Sequence, residues 1–193
     1  MADIDDRISI RAIVECPGAG RLVTLGAPGV TIDHRGTVWV DPDGIDETLW
    51  ALVARGAALF LFLARDEDCP TDYRPLLRKH VRQAGMAFVA LPINDFAAPG
   101  AAWVRAWHRL EECVSTLLTG NRAVALCCSY GAGRSGMIAA HILNGRGLSV
   151  EEALSTVRRA FPESVESPLQ EDWLHITSNR RAQARQSIGK GKA

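Results

Sequence analysis

Ala123-Val124-Ala125-Leu126-Cys127-Cys128-Ser129-Tyr130-Gly131-Ala132-Gly133-Arg134-Ser135-Gly136 decides the fold. Its opening positions, through Cys128, are apolar without interruption, the pattern of a strand covered by helices on both faces. Gly131 and Gly133 let the backbone take positive φ and come close to a ligand. From Arg134 the pattern turns helical. In a strand–loop–helix of this kind, successive N–H groups can converge on one point. The helix N-terminus adds its partial positive charge there, and such a nest suits a tetrahedral dianion. A cysteine at its rim, Cys128, lies in the same field, which favours the thiolate. Arg134 can fold back over the cup and bind two oxygens with its planar fork. Taken singly, a buried cysteine is usually a small hydrophobe and paired glycines are usually a turn. The joint spacing of strand, Cys128, Arg134, Ser135, Gly136 and helix is what carries the reading.

Gly131, Gly133 and Gly136 also satisfy the dinucleotide fingerprint G-x-G-x-x-G. That fold needs a second strand ending in a ribose-binding acid about 20 residues on. Here that region is Leu148-Ser149-Val150-Glu151-Glu152-Ala153, the start of a helix. A Walker loop fails more simply, because no Lys precedes Ser135.

Working outward, Arg21–Leu25 and Thr37–Val40 are short apolar segments. They are followed by turns at Gly26-Ala27-Pro28-Gly29 and Asp41-Pro42-Asp43-Gly44. A short helix is expected from Asp46 to Arg55, then a strand over Ala58–Leu63. Tyr73, Leu76, Leu77, His80, Val81 and Ala84 recur at helical spacing, and Met86–Leu91 is the next strand. Trp103, Trp107, Leu110, Val114 and Leu117 trace one face of a long helix ending at Gly120. Helices are expected over Arg134–Asn144, over Val150–Ala160 with Ser149 and Glu152 as a capping box, and around Gln170–Ser178. The five tryptophans sit mostly at helical spacing and read as core. His34, His80, His108, His141 and His175 show no paired spacing and read as surface or core residues. Strands alternating with helices predict an α/β domain with a central, mostly parallel sheet of four to five strands flanked by helices. Ligands of such sheets sit beyond the carboxyl ends of the strands, where Cys128 falls. The expected division is an N-terminal segment over 1–18, the catalytic domain over 19–179, and a basic, frayed tail over 180–193.

The chain has 193 residues, 47% hydrophobic and 23% charged, which suits one globular domain. Lys+Arg and Asp+Glu both total 22, so nothing in the balance argues for nucleic acid. The acidic N-terminus lacks the order of a secretory signal, and the longest apolar run, Ala57 to Ala64, is too short to span a bilayer. The cysteines, Cys16, Cys69, Cys113, Cys127 and Cys128, contain no C-x-x-C pair and form neither a disulfide scaffold nor a zinc pattern. A reducing cytoplasm fits that usage, and no metal or cofactor is called for.

The Cys128–Ser135 segment resembles the H-C-x5-R-[ST] signature of the protein tyrosine and dual-specificity phosphatase superfamily. Leu91-Pro92-Ile93-Asn94-Asp95-Phe96-Ala97-Ala98-Pro99 resembles that family's general-acid loop, and Val165-Glu166-Ser167-Pro168-Leu169-Gln170 its late I-E-T-x-x-Q segment. Arg21–Gly29 is similar to the opening strand and turn of compact dual-specificity members, especially those like the cyclin-dependent-kinase-associated phosphatases. The likeness covers most of residues 19–176.

It implies a cysteine-phosphatase fold and a phosphocysteine mechanism. Cys128 attacks phosphorus, Asp95 protonates the leaving oxygen and then activates water, and Arg134 with the loop amides holds the transferring charge. Ser135 donates to the departing sulfur and Gln170 places the water. Ser129, Tyr130, Gly131, Ala132 and Gly133 line the phosphate site. The family's histidine before the nucleophile is here Cys127, so less support for the Cys128 thiolate and slower or shifted catalysis are expected. Cys127 itself reads as a buried strand residue, since a bond between adjacent cysteines is strained. The variable loop positions carry no Lys or Arg, which favours a phosphorylated protein over a phosphoinositide as substrate. Two other readings stay open: a non-catalytic phosphoprotein-binding module, motivated by Cys127, and a thiol-based enzyme of another oxyanion.

Overall fold

The computed structural model describes residues 8–32 and 34–190, with side chains as far as residue 183. In chain order its elements are β1 (Ile10–Glu15), β2 (Arg21–Leu25), β3 (Val30–Ile32), β4 (Val38–Val40), α1 (Pro42–Ala54), β5 (Ala57–Phe62), a 3-10 turn (Asp66–Asp68), α2 (Tyr73–Gln83), β6 (Ala87–Ala90), α3 (Ala101–Thr119), β7 (Ala123–Cys127), α4 (Gly133–Gly145), α5 (Val150–Ala160) and α6 (Pro168–Lys190). The main sheet runs β1-β2-β7-β5-β6; β1 pairs antiparallel with β2 and every other pairing is parallel. This is the expected five-stranded, mostly parallel sheet. β3 and β4 form a separate antiparallel hairpin.

Alternation along the strands sorts the core onto the two faces of the sheet. Leu22, Leu59, Leu61, Val124, Leu126 and Cys128 pack on the side covered by α3, α4, α5 and α6. Val23, Leu25, Phe60, Phe62, Ala125 and Cys127 pack on the side covered by α1 and α2. Each strand of the centre is therefore apolar at successive positions, which is why β7 is buried from Ala123 to Cys127. Helix α4 is buried from Gly133 through Leu143 and forms the spine of the larger cluster.

Several expectations are corrected. Within the N-terminal segment Ile10–Glu15 is a strand of the main sheet, which the sequence pattern did not show, and Val30–Ile32 is a strand paired with Val38–Val40. Helix α1 begins at Pro42 instead of Asp46. Asp41 is its N-cap, accepting the Asp43 N–H at 3.1 Å, with proline in the first turn where its missing N–H costs nothing. The backbone from Arg180 to Lys190 continues α6 where fraying was expected. Its Arg181 guanidinium donates to the His141 carbonyl at 3.1 Å and pairs with Glu111. Trp103, Trp107 and Trp173 are core, stacked or edge-on to one another, whereas Trp39 and Trp50 are exposed. Among the described residues, no helix is long and apolar enough to cross a membrane.

Candidate active site

Four loops leave the carboxyl ends of neighbouring parallel strands and meet at one place: Gly26 after β2, Arg65–Asp68 after β5, Ile93–Phe96 after β6, and Cys128–Ala132 after β7. The post-β7 loop is tied to its neighbours through the backbone. Cys128 N–H donates to the Leu25 carbonyl at 3.2 Å and Ala27 N–H to the Ser129 carbonyl at 3.0 Å. Arg11, on β1, donates from Nε to the Tyr130 carbonyl at 3.0 Å and lays its guanidinium 4.8 Å from the centre of the Tyr130 ring. An edge strand that the sequence pattern missed thus fixes the loop's tip.

Cys128 is 3% exposed, and its Sγ accepts the Gly131 N–H at 3.1 Å and lies 3.5 Å from Ser135 Oγ. Gly131 has φ of 100°, and a Cβ there would lie 2.6 Å from the Gly26 nitrogen, so the turn back towards the sulfur requires glycine. Gly133 does not have the positive φ expected of it. It is the first residue of α4, and its missing Cβ serves another purpose: the atom would stand 2.0 Å from Glu166 Oε2. Burial, reinforced by the nearby Asp95 charge and opposed by the Gly133 N–H, pushes the Glu166 carboxyl up. Ala132 and Ser135 are fully buried and Tyr130 is exposed.

Arg134 is 2% exposed and its donors are divided by direction. Nη1 donates to Asp68, and to the Ile93 carbonyl at 3.1 Å. Nη2 donates to Ser129 Oγ at 2.9 Å and lies 3.1 Å from Asp95 Oδ1. Nε is buried with no protein partner among the described residues. Burial alone would raise the Asp68 carboxyl, but the Arg134 hydrogen bond, the Arg65 N–H and both guanidinium charges outweigh it and hold it below its ordinary value. For Arg134, burial pulls down, while Asp68, Cys128 and Asp95 push it up and leave it above its usual range. Asp68 was not foreseen; an acid three residues beyond Arg65 in a D-E-D run gave no spacing that distinguishes it from a solvated turn.

Asp95 sits at the mouth of the cup, half exposed, on a loop whose next residue, Phe96, has φ of 53°. Ser167 Oγ donates to the Phe96 carbonyl at 2.6 Å, which joins the Asp95 loop to the segment before α6. Gln170 is fully buried: its Oε1 accepts the Glu166 N–H at 2.9 Å, and its Nε2 has no partner among the described residues and faces Gly133. Cys127 points away from all of these, into the opposite core. Its Sγ lies 3.4 Å from the Gly26 carbonyl, and burial, with Cys128 and Cys69 adding to it, raises its thiol well above the ordinary value. The sequence-nominated residues Cys128, Ser129, Arg134, Ser135 and Asp95 therefore converge, and Gln170 backs them from behind Gly133.

A family model described as a polymorphic toxin system DSP-PTPase phosphatase matches residues 72–147, from α2 through the Asp95 and Cys128 loops to the end of α4. Among solved structures, Tk-PTP in its active form is similar at 26% identity and a TM-score of 0.62, covering 89% of this chain and 97% of that one. A kinase-associated phosphatase whose catalytic-site cysteine is replaced by serine superposes at a TM-score of 0.72 with 21% identity, covering 91% and 96%. PTPMT1 in complex with PI(5)P shares the fold at a TM-score of 0.60 and 15% identity, covering 83% and 94%.

Proposed function

We propose that the chain is a compact dual-specificity member of the protein tyrosine and dual-specificity phosphatase superfamily, and that it hydrolyses phosphomonoesters of proteins, on tyrosine, serine or threonine, through a phosphocysteine at Cys128. The observation that carries the reading is the division of labour on Arg134. Its Nη1 side is held by Asp68 and Ile93, so the edge formed by Nε and Nη2 is the one offered to a ligand. A planar edge of two N–H groups matches two oxygens of a phosphoryl group.

Cys128 Sγ, already hydrogen-bonded by the Gly131 N–H, forms the S–P bond as the ester P–O bond breaks. Asp95 gives its proton to the leaving oxygen. In the second step Asp95 takes a proton from water, the water oxygen bonds phosphorus, and the S–P bond breaks with Ser135 Oγ–H donating to the departing sulfur. By the family resemblance of its segment, Gln170, whose buried Nε2 has no partner among the described residues, is assigned to place that water. Arg134 and the loop N–H groups hold the equatorial charge throughout. Asp95 contacts Arg134 in this structure, so phosphate entry on the Nη2 edge must release Asp95 towards the leaving group. The cysteine usage, with all five thiols free, supports a reducing compartment such as the cytoplasm.

Turnover of p-nitrophenyl phosphate, abolished by Cys128→Ser and by Arg134→Lys, is the test. A folded protein that binds phosphopeptides without turning over any phosphomonoester would instead be a binding module.

A further inference from the structure

Beside the phosphate cup lies a groove of about 350 Å³ between the β3–β4 hairpin and the 3-10 turn. Val30, Ile32 and Val38 form one wall, Glu67 and Asp68 belong to the other, and Ser129, the residue after the nucleophile, is shared with the cup. Groove and cup are held in register at the hairpin's base: Tyr73 donates to the Pro28 carbonyl at 2.8 Å, and the Asp41 N–H to the Gly29 carbonyl at 2.7 Å. Further out, Ile32 and Val38 are 65% and 47% exposed, an unusual amount of aliphatic surface for a wall next to a polar site. Among the described residues no Lys or Arg lines the groove, and its charged members are the carboxylates Glu67 and Asp68.

We propose that this groove seats the chain flanking the phosphorylated residue of a polypeptide substrate, taking an aliphatic side chain against Val30, Ile32 and Val38. The inference rests on the cup being the phosphate site. Two features select this occupant. The groove meets the cup at Ser129, whose Oγ accepts from Arg134 Nη2, so it lies in reach of the chain flanking a phosphorylated residue held there. The wall chemistry is apolar opposite carboxylates already engaged, Glu67 with Arg65 and Asp68 with Arg134, which suits the aliphatic side chain of a peptide segment. It offers the additional phosphates of an inositol headgroup no cation among its described lining residues.

The test measures binding to the full chain carrying Cys128→Ser, by fluorescence anisotropy, alongside p-nitrophenyl phosphate turnover by the unaltered protein. The probes are paired phosphopeptides with Leu or Asp next to the phosphorylated residue, and inositol 5-phosphate-type headgroups. The Leu peptide should bind about tenfold tighter than the Asp peptide, the scale of burying one aliphatic side chain. That preference should collapse when Ile32→Asp and Val38→Asp are introduced together, in a variant whose circular dichroism is unchanged. Indifference to the flanking residue in the unmodified groove, or tighter binding of the headgroup, overturns the proposal even if p-nitrophenyl phosphate is hydrolysed. Conversely, a clear Leu preference with no turnover of any phosphomonoester supports the groove and removes the catalytic reading.

Discussion

Arg134 separates what holds the site from what acts in it. Asp68 grips the face of the guanidinium turned from the cup, so Asp68→Asn should keep the fold but lower kcat/KM on p-nitrophenyl phosphate by about 10-fold or more, the loss of one charge-assisted hydrogen bond. A variant with unchanged kinetics would show that the arginine needs no such anchor. Asp95→Asn should cost roughly 10²-fold on substrates with poor leaving groups and much less on acidic ones, as measured by a leaving-group series; an equal loss throughout would remove Asp95 from the acid role. Glu166 yields a stability prediction. Folding raises its carboxyl above the unfolded value, so the folded state favours the protonated form. The resulting destabilisation is absent below the ordinary glutamate range and complete above the raised value. Glu166→Gln should therefore raise the thermal midpoint at pH 7 and have little effect at pH 3; a midpoint that falls at pH 7 would contradict the sign. Cys128 and Arg134 were legible because their pairing is rare at that spacing, and Asp95 through the resemblance of its loop to a family's general-acid loop. Asp68, Glu166 and Arg11 were not, because each acts through a contact between segments distant in sequence that no local pattern records.

At the scale of elements, the strands and helices with strong periodicity were readable from residues alone, and β7, α3 and α5 fall where the pattern puts them. The Ser149–Glu152 box is present with both reciprocal bonds, at 3.1 and 2.8 Å. The elements that escaped are those whose reason is tertiary. β1 alternates in burial, but its sequence pattern is blurred because the outward-facing Ile13, 40% exposed, is apolar. The start of α1 was hidden because Pro42 and Gly44 look like a turn until Asp41 is seen to cap them. The continuation of α6 depends on Arg181 meeting Glu111 and His141 across the helix layer. Elements also set how the acid loop is held. Ser167 ties Phe96 to the segment before α6, so Ser167→Ala should loosen the Asp95 loop. The expected result is a lower kcat on poor leaving groups with KM for p-nitrophenyl phosphate little altered; a change confined to KM would place Ser167 in binding instead. On the other face of β7, Cys127 is closed in by core side chains. Cys127→His should destabilise the protein by about 1–3 kcal/mol through overpacking, without altering the rate of Cys128 alkylation.

Over the whole molecule, a three-layer fold buries the central strands of one sheet and leaves its chemistry at the carboxyl ends of four parallel strands. The thiols divide in the same way. Burial pushes Cys16 up to about 11 and Cys69 up to about 12, and raises Cys127 well above the ordinary value, so these three are inert core or wall groups. Cys113 is exposed, and only Cys128 has the Gly131 N–H on its sulfur, with Ser135 and Arg134 beside it. The central claim is that this one sulfur carries the phosphoryl group between the two chemical steps. It is tested most directly by acid-quenching the protein within its first turnover of p-nitrophenyl phosphate and locating the bound phosphoryl group by peptide mass spectrometry. The account predicts a single acid-stable adduct on Cys128, lost in Cys128→Ser and accumulating in Asp95→Asn, whose second step lacks its base. An adduct on another residue, or full turnover with none formed, would contradict it.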